Sequence, residues 1–167
     1  MTKRETQDDR SFEHDLAGKY LTFMLKDELY GITIGPIDDI IEMQDYTNVP
    51  QTAEYVRGVI NLRGSVIPII DLREKFEMPT TEYDRETCIV VVTIEDFQTG
   101  LIVDEVREVA EFSDEQIDPA PSMGHEVEVQ FVAGMGKEED KVTILLDLER
   151  ILEEEEKEEL REVHNDD

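Results

Sequence analysis

Two runs of apolar residues with a short polar break between them form the clearest pattern in the chain. The runs are Val59–Leu62 and Val66–Ile70, and the break contains Arg63 and Gly64. Apolar runs of this length on either side of a glycine-containing break predict a β-hairpin. Pro68 has no backbone donor, so the second strand is predicted to lie at a sheet edge or to carry a bulge.

The hairpin and its surroundings recur later in the chain. The segment Tyr55–Phe76 aligns without a gap to Phe131–Leu152, and Gly31–Ile40 aligns in the same way to Gly100–Val109. An Asp-Leu step follows the second apolar run in both copies, and its aspartate is predicted to cap a short helical turn. Apolar strands resemble one another by chance, but shared glycines and shared Asp-Leu steps argue against that explanation. We interpret the pattern as an internal duplication that gives two similar β subdomains.

Short strands at regular spacing make up most of the chain, with only two small helices. This pattern is typical of small antiparallel barrels rather than of a parallel α/β sheet. A polar connection around Pro79 predicts subdomains at about residues 19–80 and 81–147. Residues 1–18 are predicted to be a flexible charged segment. A helix is predicted from about residue 147, and residues 153–167 are predicted to be an acidic tail whose like charges fray the helix end.

The net charge of −27 limits the classes of partner. Nucleic acids and anionic membranes need a basic footprint on the protein, so both are excluded as binding partners. Charge of this size weakens a fold in dilute buffer through self-repulsion, and molar salt screens the repulsion. The composition therefore favours a protein adapted to high salt, with an ordinary acidic protein as the alternative.

The chain shows no sign of export or membrane insertion. Its N-terminal residues lack an apolar signal segment, and the longest apolar run, Cys88–Val92, is too short to span a bilayer. Cys88 is the single cysteine and cannot form an internal disulfide, which fits a reducing compartment. We expect a soluble cytoplasmic protein.

No group of residues predicts catalysis. The histidines at 14, 125 and 164 lie in or beside polar segments, without partners at a metal-ligand spacing. Cys88 lies in an apolar run, where a buried and unreactive thiol is expected. The sequence therefore predicts no catalytic site, no metal site and no cofactor.

Two arginines on the first hairpin are the best candidates for binding residues. Arg57 lies at the foot of the hairpin and Arg63 lies at its turn. A guanidinium group is suited to bidentate contact with a carboxylate of a partner. An intramolecular salt bridge is an equally good interpretation, because the chain is rich in acidic residues.

The order of these motifs resembles one known family. Between about Lys19 and Leu152 the chain contains YGI, VP, GVINLRG, VIP, IDLR and a closing LLDL. This order is similar to that of the CheW family of chemotaxis coupling proteins, and NLRG followed by VIP and IDLR is its most specific part. The resemblance implies a mainly β fold of two small five-stranded SH3-like barrels around a shared core.

The resemblance also implies a function without catalysis. CheW-like proteins bridge the CheW-like domain of the CheA histidine kinase to the helical cytoplasmic tips of transmembrane chemoreceptors, in arrays at the membrane. The residues assigned by the resemblance to the receptor-facing surface are Ile37, Asp39, Gly58, Asn61, Arg63, Cys88, Gly100 and Val109. Those assigned to kinase contact are Tyr46, Arg57, Val66, Asp118 and Met123.

Two positions depart from the family pattern. Cys88 stands where a branched aliphatic residue is usual, and Asp118 is acidic where other members can carry a basic residue, which suggests a reversed charge in that contact. An adaptor of another chemosensory-type pathway, such as one for surface motility, has the same scaffold. A small-ligand or metal-binding protein that uses the acidic surface is the alternative from a different class.

Overall fold

The chain forms two β-sheets with helices at their ends. The computed structural model describes residues 18–50, 52–80, 82–119 and 129–165. The strands in these residues are β1 Lys19–Leu25, β2 Glu28–Thr33, β3 Ile37–Glu42, β4 Val56–Leu62, β5 Ser65–Asp71, β6 Cys88–Ile94, β7 Phe97–Val103, β8 Glu105–Glu111, β9 Ile117–Asp118, β10 Val132–Glu138 and β11 Lys141–Leu146. The α-helices are α1 Leu72–Lys75, α2 Leu148–Ile151 and α3 Glu154–Asn165.

The strand order confirms the predicted mainly β fold. The first sheet has the order β3-β6-β7-β5-β4, and the second sheet has the order β8-β1-β2-β11-β10-β9. Neighbouring strands are antiparallel except for β5 with β7 and β11 with β2, which are parallel. None of the helices in the described residues is long and apolar enough to cross a membrane.

The internal duplication is visible in the topology. Exchanging β1, β2, β3, β4 and β5 with β6, β7, β8, β10 and β11 converts the order of the first sheet into that of the second without its last strand, β9. The parallel ladder pairs Ile69 with Gly100 in one sheet and Leu145 with Gly31 in the other. These are the residues that the aligned segments of the sequence match. The two sheets are therefore related by a pseudo-twofold exchange of the repeats.

The sheets do not follow the contiguous subdomains at about residues 19–80 and 81–147. The hairpin β1–β2 of the first repeat joins the second sheet, and the hairpin β6–β7 of the second repeat joins the first sheet. Each repeat thus completes the sheet of the other, and the polar connection near Pro79 lies between two strands of one sheet. Periodicity along the chain carries no signal for this exchange, because the two parallel ladders join distant segments.

Pro68 lies in an inner strand, so its predicted place at a sheet edge is wrong. The strand β5 pairs with β4 on one side and with β7 on the other. The ladder with β7 begins at Ile69, immediately after the proline. The ladder of β4 with β5 is irregular between Val56 and Gly58, so the extra residue, Arg57, lies in β4 and the bulge predicted for the strand of Pro68 is wrong as well.

Two apolar clusters stabilise the sheets. The larger cluster combines residues of both sheets with the C-terminal helices, and it includes Phe23, Tyr30, Val92, Leu101 and Leu160. The smaller cluster covers the other face of the first sheet and consists of Ile60, Ile67, Ile69, Ile89, Val91 and Ile102. Burial on both faces explains the continuous apolar runs in the sequence.

The C-terminal region is two helices, not one helix with a frayed acidic tail. The backbone of Leu152 is extended and ends α2, and α3 then packs on β5 and β7. Leu160 is fully buried in the larger cluster. Nearly buried Lys157 lies 3.4 Å from Glu95 and 3.5 Å from Glu154. These cation contacts and the burial of Leu160 offset the repulsion among the glutamates. The charge pattern of the sequence, taken alone, therefore overstates how far the helix end frays.

Candidate functional site

Three of the residues assigned to the receptor-facing surface lie in one row across the first sheet. Strand pairing aligns Asp39 with Val91, Val91 with Gly100, Gly100 with Ile69, and Ile69 with Gly58. The row runs from one edge strand, β3, to the other, β4. Positions separated by several tens of residues in the sequence therefore occupy one line on the sheet.

Two members of this row are glycines for a packing reason. A Cβ atom on Gly100 would lie 2.6 Å from the Cγ2 atom of buried Ile89. A Cβ atom on Gly58 would lie 2.2 Å from the backbone oxygen of Thr47, which pairs with Val59. Contacts this short are not tolerated between non-bonded atoms, so both positions require glycine. Gly100 is buried within the sheet, against the side chains of Ile89 and Ile69.

The turn between β4 and β5 presents Arg63 to solvent. Asn61 Oδ1 accepts a hydrogen bond from the backbone N–H of Gly64 at 3.0 Å, which closes the turn. Arg63 and Gly64 both have positive φ angles, 54° and 91°. Arg63 is 77% exposed, and its Nη2 atom lies 3.0 Å from Oδ2 of Asp39. Asn61 thus shapes the turn, and Arg63 carries its charge outward.

The contact between Arg63 and Asp39 joins the two edges of the first sheet. Asp39 belongs to the edge strand β3, and Arg63 follows the opposite edge strand β4. A backbone bridge between Thr47 and Val59 links the same two sides. These contacts curl the sheet, consistent with the expected SH3-like arrangement. Arg63 therefore forms an intramolecular salt bridge and is exposed to solvent at the same time.

The remaining residues assigned to the receptor lie on three strands. Ile37 on β3 and Cys88 on β6 are partly buried against the larger apolar cluster. Val109 lies on β8, the edge strand of the second sheet, and is 55% exposed. Of this set, Val109 is the apolar side chain most open to a partner.

Two exposed apolar residues, Ile40 and Val142, escaped the sequence assignment. Ile40 on β3 is 43% exposed, and it is the counterpart of Val109 in the duplication. Ile40 and Val109 both lie on edge strands, and each directly follows an acidic residue in the sequence. The alignment of Gly31–Ile40 with Gly100–Val109 contained this signal, because matched positions on matched strands are expected to have similar exposure.

The environment of Cys88 keeps its thiol protonated. Burial raises the pKa of Cys88, and the carboxylates of Glu42, Glu86 and Glu105 raise it further against an opposing hydrogen bond with the backbone of Val106. A thiolate is the reactive form of cysteine, so this environment disfavours nucleophilic chemistry.

The first group of kinase-assigned residues is spread along the β4–β5 pair. Tyr46 packs against Gly58, which follows Arg57 in β4. The Nη2 atom of Arg57 lies 2.7 Å from Glu74 Oε1, and its guanidinium is 5.8 Å from the centre of the Tyr83 ring. Arg57 is therefore held by intramolecular partners and is less available than Arg63.

Val66 lies apart from the other two residues of this group. It pairs with Asn61 near the turn, and its backbone oxygen is 3.0 Å from Nδ1 of His164 in α3. Tyr46, in contrast, lines an open cavity of about 610 Å³ together with Met43 and Tyr83. Tyr46 and Arg57 thus share one surface, and Val66 lies on a different one, beside α3.

The second kinase-assigned group is described only in part. Asp118 in β9 pairs with Met135, and its carboxylate lies 2.9 Å from the ammonium group of Lys137. Both side chains of this ion pair are about half exposed. Met123 lies outside the described residues, as do residues 1–17 of the expected N-terminal segment.

Nothing in the described residues assembles a site for metal-dependent chemistry. No group of three or more histidine, cysteine, aspartate or glutamate side chains in residues 18–50, 52–80, 82–119 and 129–165 is arranged to hold a metal ion. The arrangement offers instead a charged turn, two exposed apolar edge positions and an open cavity. These are the features of a binding surface.

Comparison with known proteins gives a consistent result. A family model described as the CheW-like domain matches residues 19–156. A chemotaxis protein CheW from Klebsiella aerogenes is 36% identical over 138 residues, covering 83% of this chain and 83% of the relative. A chemotaxis protein CheW from Helicobacter pylori is 35% identical over 134 residues, covering 80% of this chain and 81% of the relative.

A solved structure agrees with the fold. The crystal structure of the scaffolding protein TtCheW from Thermoanaerobacter tengcongensis has a TM-score of 0.77 to this chain and 34% sequence identity. The match covers 83% of this chain and 94% of that protein. The resemblance seen in the motifs thus extends through the whole arrangement of strands.

Proposed function

Since the chain belongs to the family of CheW-like domains and is a scaffold protein of chemotaxis, we propose that it couples transmembrane chemoreceptors to the CheA histidine kinase without catalysing a reaction. In this proposal the protein binds the CheW-like domain of the kinase on one surface and the helical cytoplasmic tip of a receptor on another. It is recruited in this way to chemoreceptor arrays at the membrane. Several modest interfaces then act together through multivalency.

The exposed Arg63 beside Asp39 is the observation that carries the proposal. The arginine stands on a turn whose shape is fixed by Asn61 and Gly64, so its position is preorganised. Arginine is frequent among the residues that dominate binding energy, and a rigid position lowers the entropic cost of association. On a chain with a net charge of −27, a cation presented in this way favours a partner with carboxylates.

The apolar part of the proposed receptor surface comes from the edge strands. Val109 and Ile40 are exposed, while Ile37 and Cys88 lie partly buried beside them in the fold. A helical hairpin presents apolar anchors at intervals of three and four residues, flanked by polar side chains. Such an anchor against β3 or β8, with a carboxylate at Arg63, is the contact that we propose.

Kinase binding is proposed on the surface of Tyr46 and Arg57, at Val66 beside α3, and around Asp118 and Met123. The open cavity beside Tyr46 is lined mostly by polar and acidic side chains, among them Asp45 and Asp84, so it suits a polar or basic side chain of the kinase domain. Because Lys137 lies against Asp118, the second contact presents a paired acid and base rather than an isolated charge. The negative charge of Asp118 is therefore partly neutralised by Lys137, so the charge reversal at that contact is smaller than the residue alone implies.

Replacing Arg63 by glutamate is expected to weaken binding to the receptor by roughly tenfold to a hundredfold, because a preorganised cation becomes an anion among carboxylates. Stability is expected to fall by about 1–3 kcal/mol while the protein stays folded, because Asp39 is only 25% exposed and loses the cation beside it. The measurement is a pull-down at molar salt with receptor and kinase fragments from the same organism, together with thermal unfolding.

Arg150→Glu is the matched control, because Arg150 is also exposed and paired with a nearby aspartate, Asp147. The control is expected to bind both partners like the unmodified protein. If Arg63→Glu unfolds the protein, Arg63 is structural and the assignment fails. Receptor binding that is unchanged in a folded Arg63→Glu variant contradicts the assignment equally.

A further inference from the structure

An open cavity lies against the second sheet, away from the row of glycines. It has a volume of about 780 Å³, within the range of ordinary binding pockets. Its apolar lining comes from Met24, Leu29, Met135, Val142 and Ile144, and its charged lining comes from Asp27, Glu28, Arg107, Glu108 and Lys141. Val142 on its rim is 51% exposed.

Part of the corresponding region of the first sheet is occupied by α3. That helix packs on β5 and β7, and its last two turns make specific contacts there. Arg161 donates a hydrogen bond to Asp96 at 2.7 Å, and its guanidinium lies 5.5 Å from the centre of the Phe97 ring. His164 contacts the backbone oxygen of Val66.

The duplication places the cavity at the same point on the second sheet. The aligned segments give Asp27 as the counterpart of Asp96, Glu28 as the counterpart of Phe97 and Val142 as the counterpart of Val66. All three counterparts line the cavity. Its two flanking strands, β2 and β11, are likewise the counterparts of β7 and β5.

The cavity is therefore a helix seat without a helix from the described residues. No helix in residues 18–50, 52–80, 82–119 and 129–165 packs substantially on β2 or β11. The seat overlaps the counterpart of the position that α3, a helix of twelve residues, has on the first sheet. Its floor is apolar like the floor beneath Leu160, and its rim carries acids at one end.

The charges of the rim define the chemistry of the missing helix. Asp27 and Glu28 lie where Asp96 receives Arg161 in the first sheet, so a basic side chain fits there. Lys141 stands on the β11 side of the cavity, where an acidic side chain fits. An amphipathic helix with an apolar stripe and both charge signs beside it matches this seat.

We infer that this cavity, which we call the vacant helix seat, binds a helix of the chemoreceptor hairpin in addition to the contact at Arg63. This inference rests on the proposed function, in which the receptor supplies helices and the kinase domain is mainly β. The position also favours the receptor, because Arg107 and Glu108 of the seat immediately precede Val109 in β8. A hairpin lying along β8 reaches both places.

The test uses the full chain and an isolated receptor hairpin fragment, with Val142→Lys and Lys141→Glu as the variants. Each variant is expected to weaken hairpin binding by roughly tenfold, the effect of losing about 1.4 kcal/mol at an interface. Melting temperature and kinase binding are expected to stay unchanged, because both side chains are on the surface. Arg150→Glu is the control, as a charge change outside the seat.

The outcomes separate this inference from the proposed function. Hairpin binding that is absent in the unmodified protein contradicts the proposed function itself. Hairpin binding that is normal in the unmodified protein and unaffected by both variants overturns the vacant helix seat. Loss of kinase binding with retained receptor binding overturns its assignment to the receptor.

A photo-crosslinking residue at position 141 gives a readout that does not depend on affinity. Crosslinks from this position to a helix of the hairpin are expected in the complex. Crosslinks to the kinase domain only, or none to the hairpin in a formed complex, overturn the inference. Because the photo-reactive side chain replaces an exposed lysine, folding is expected to be preserved.

Discussion

Replacing Leu160 by alanine is expected to lower the free energy of unfolding by about 2–5 kcal/mol, the usual cost of a large cavity in a core. Leu160 is the fully buried anchor of α3, and it packs in the same cluster as Leu148, Ile151 and Leu152. Urea unfolding of the full chain at molar salt measures the change. An effect this large on the C-terminal region separates a docked helix from an acidic tail.

The contacts around Leu160 depend on its anchoring. Glu156 accepts hydrogen bonds from Tyr55 at 2.6 Å and from Lys75 at 2.8 Å, and both require α3 to be in place. The control is Glu162→Ala on the exposed side of the same helix, which is expected to change stability by less than about 0.5 kcal/mol. Equal effects of the two substitutions would show that α3 is not docked in solution.

Replacing Gly58 by alanine is the second substitution for which we expect a large effect. The new Cβ atom would lie 2.2 Å from the oxygen of Thr47, so the segment after β3 has to move. The move breaks the two backbone hydrogen bonds between Thr47 and Val59, whose lengths are 2.8 Å and 2.9 Å. We expect a loss of about 2–4 kcal/mol from two hydrogen bonds and overpacking together.

The same substitution should also act on binding. Tyr46 packs against Gly58 and moves with Thr47, so kinase binding is expected to fall in the fraction that remains folded. Gly35→Ala is the control, because no atom lies within 4 Å of its added Cβ and its φ angle is ordinary. A stable Gly58→Ala variant with full kinase binding would contradict the geometric argument.

Much of the architecture follows from the sequence, because repeated local patterns form repeated local structures. The hairpin Val56–Leu62 with Ser65–Asp71 forms as predicted, and Asp71 caps the turn after it by accepting from the backbone of Arg73. Asp147 caps its counterpart by accepting from Glu149. These features depend on neighbours in the chain, which periodicity and capping chemistry describe well.

The exchange of hairpins between repeats could not be derived in the same way. Gly100 pairs with Ile69 of β5 and not with Leu145 of β11, although these two strands are similar and both are distant from Gly100 in the sequence. The contact between Arg63 and Asp39 is also long-range, because it forms only when the first sheet curls and brings its two edges together. Local propensity has no information about either, so only the fold brings these residues together.

The candidate surface shows a similar division. Arg63 is conspicuous in the sequence because few cations occur on an acidic chain, and it is exposed in the structure. The resemblance assigns Gly100 to the receptor-facing surface, but the residue is buried within the sheet. The vacant helix seat has no sequence motif at all, since its lining comes from five strands and a turn.

The central claim is that the protein joins kinase to receptor, and co-sedimentation tests it most directly. Membrane vesicles carrying the receptor are mixed with the kinase at molar salt, with and without this protein, and the kinase in the pellet is measured. The account predicts that the kinase sediments with the vesicles only when the unmodified protein is present, and much less with Arg63→Glu. Equal sedimentation of the kinase with and without the protein would contradict the account.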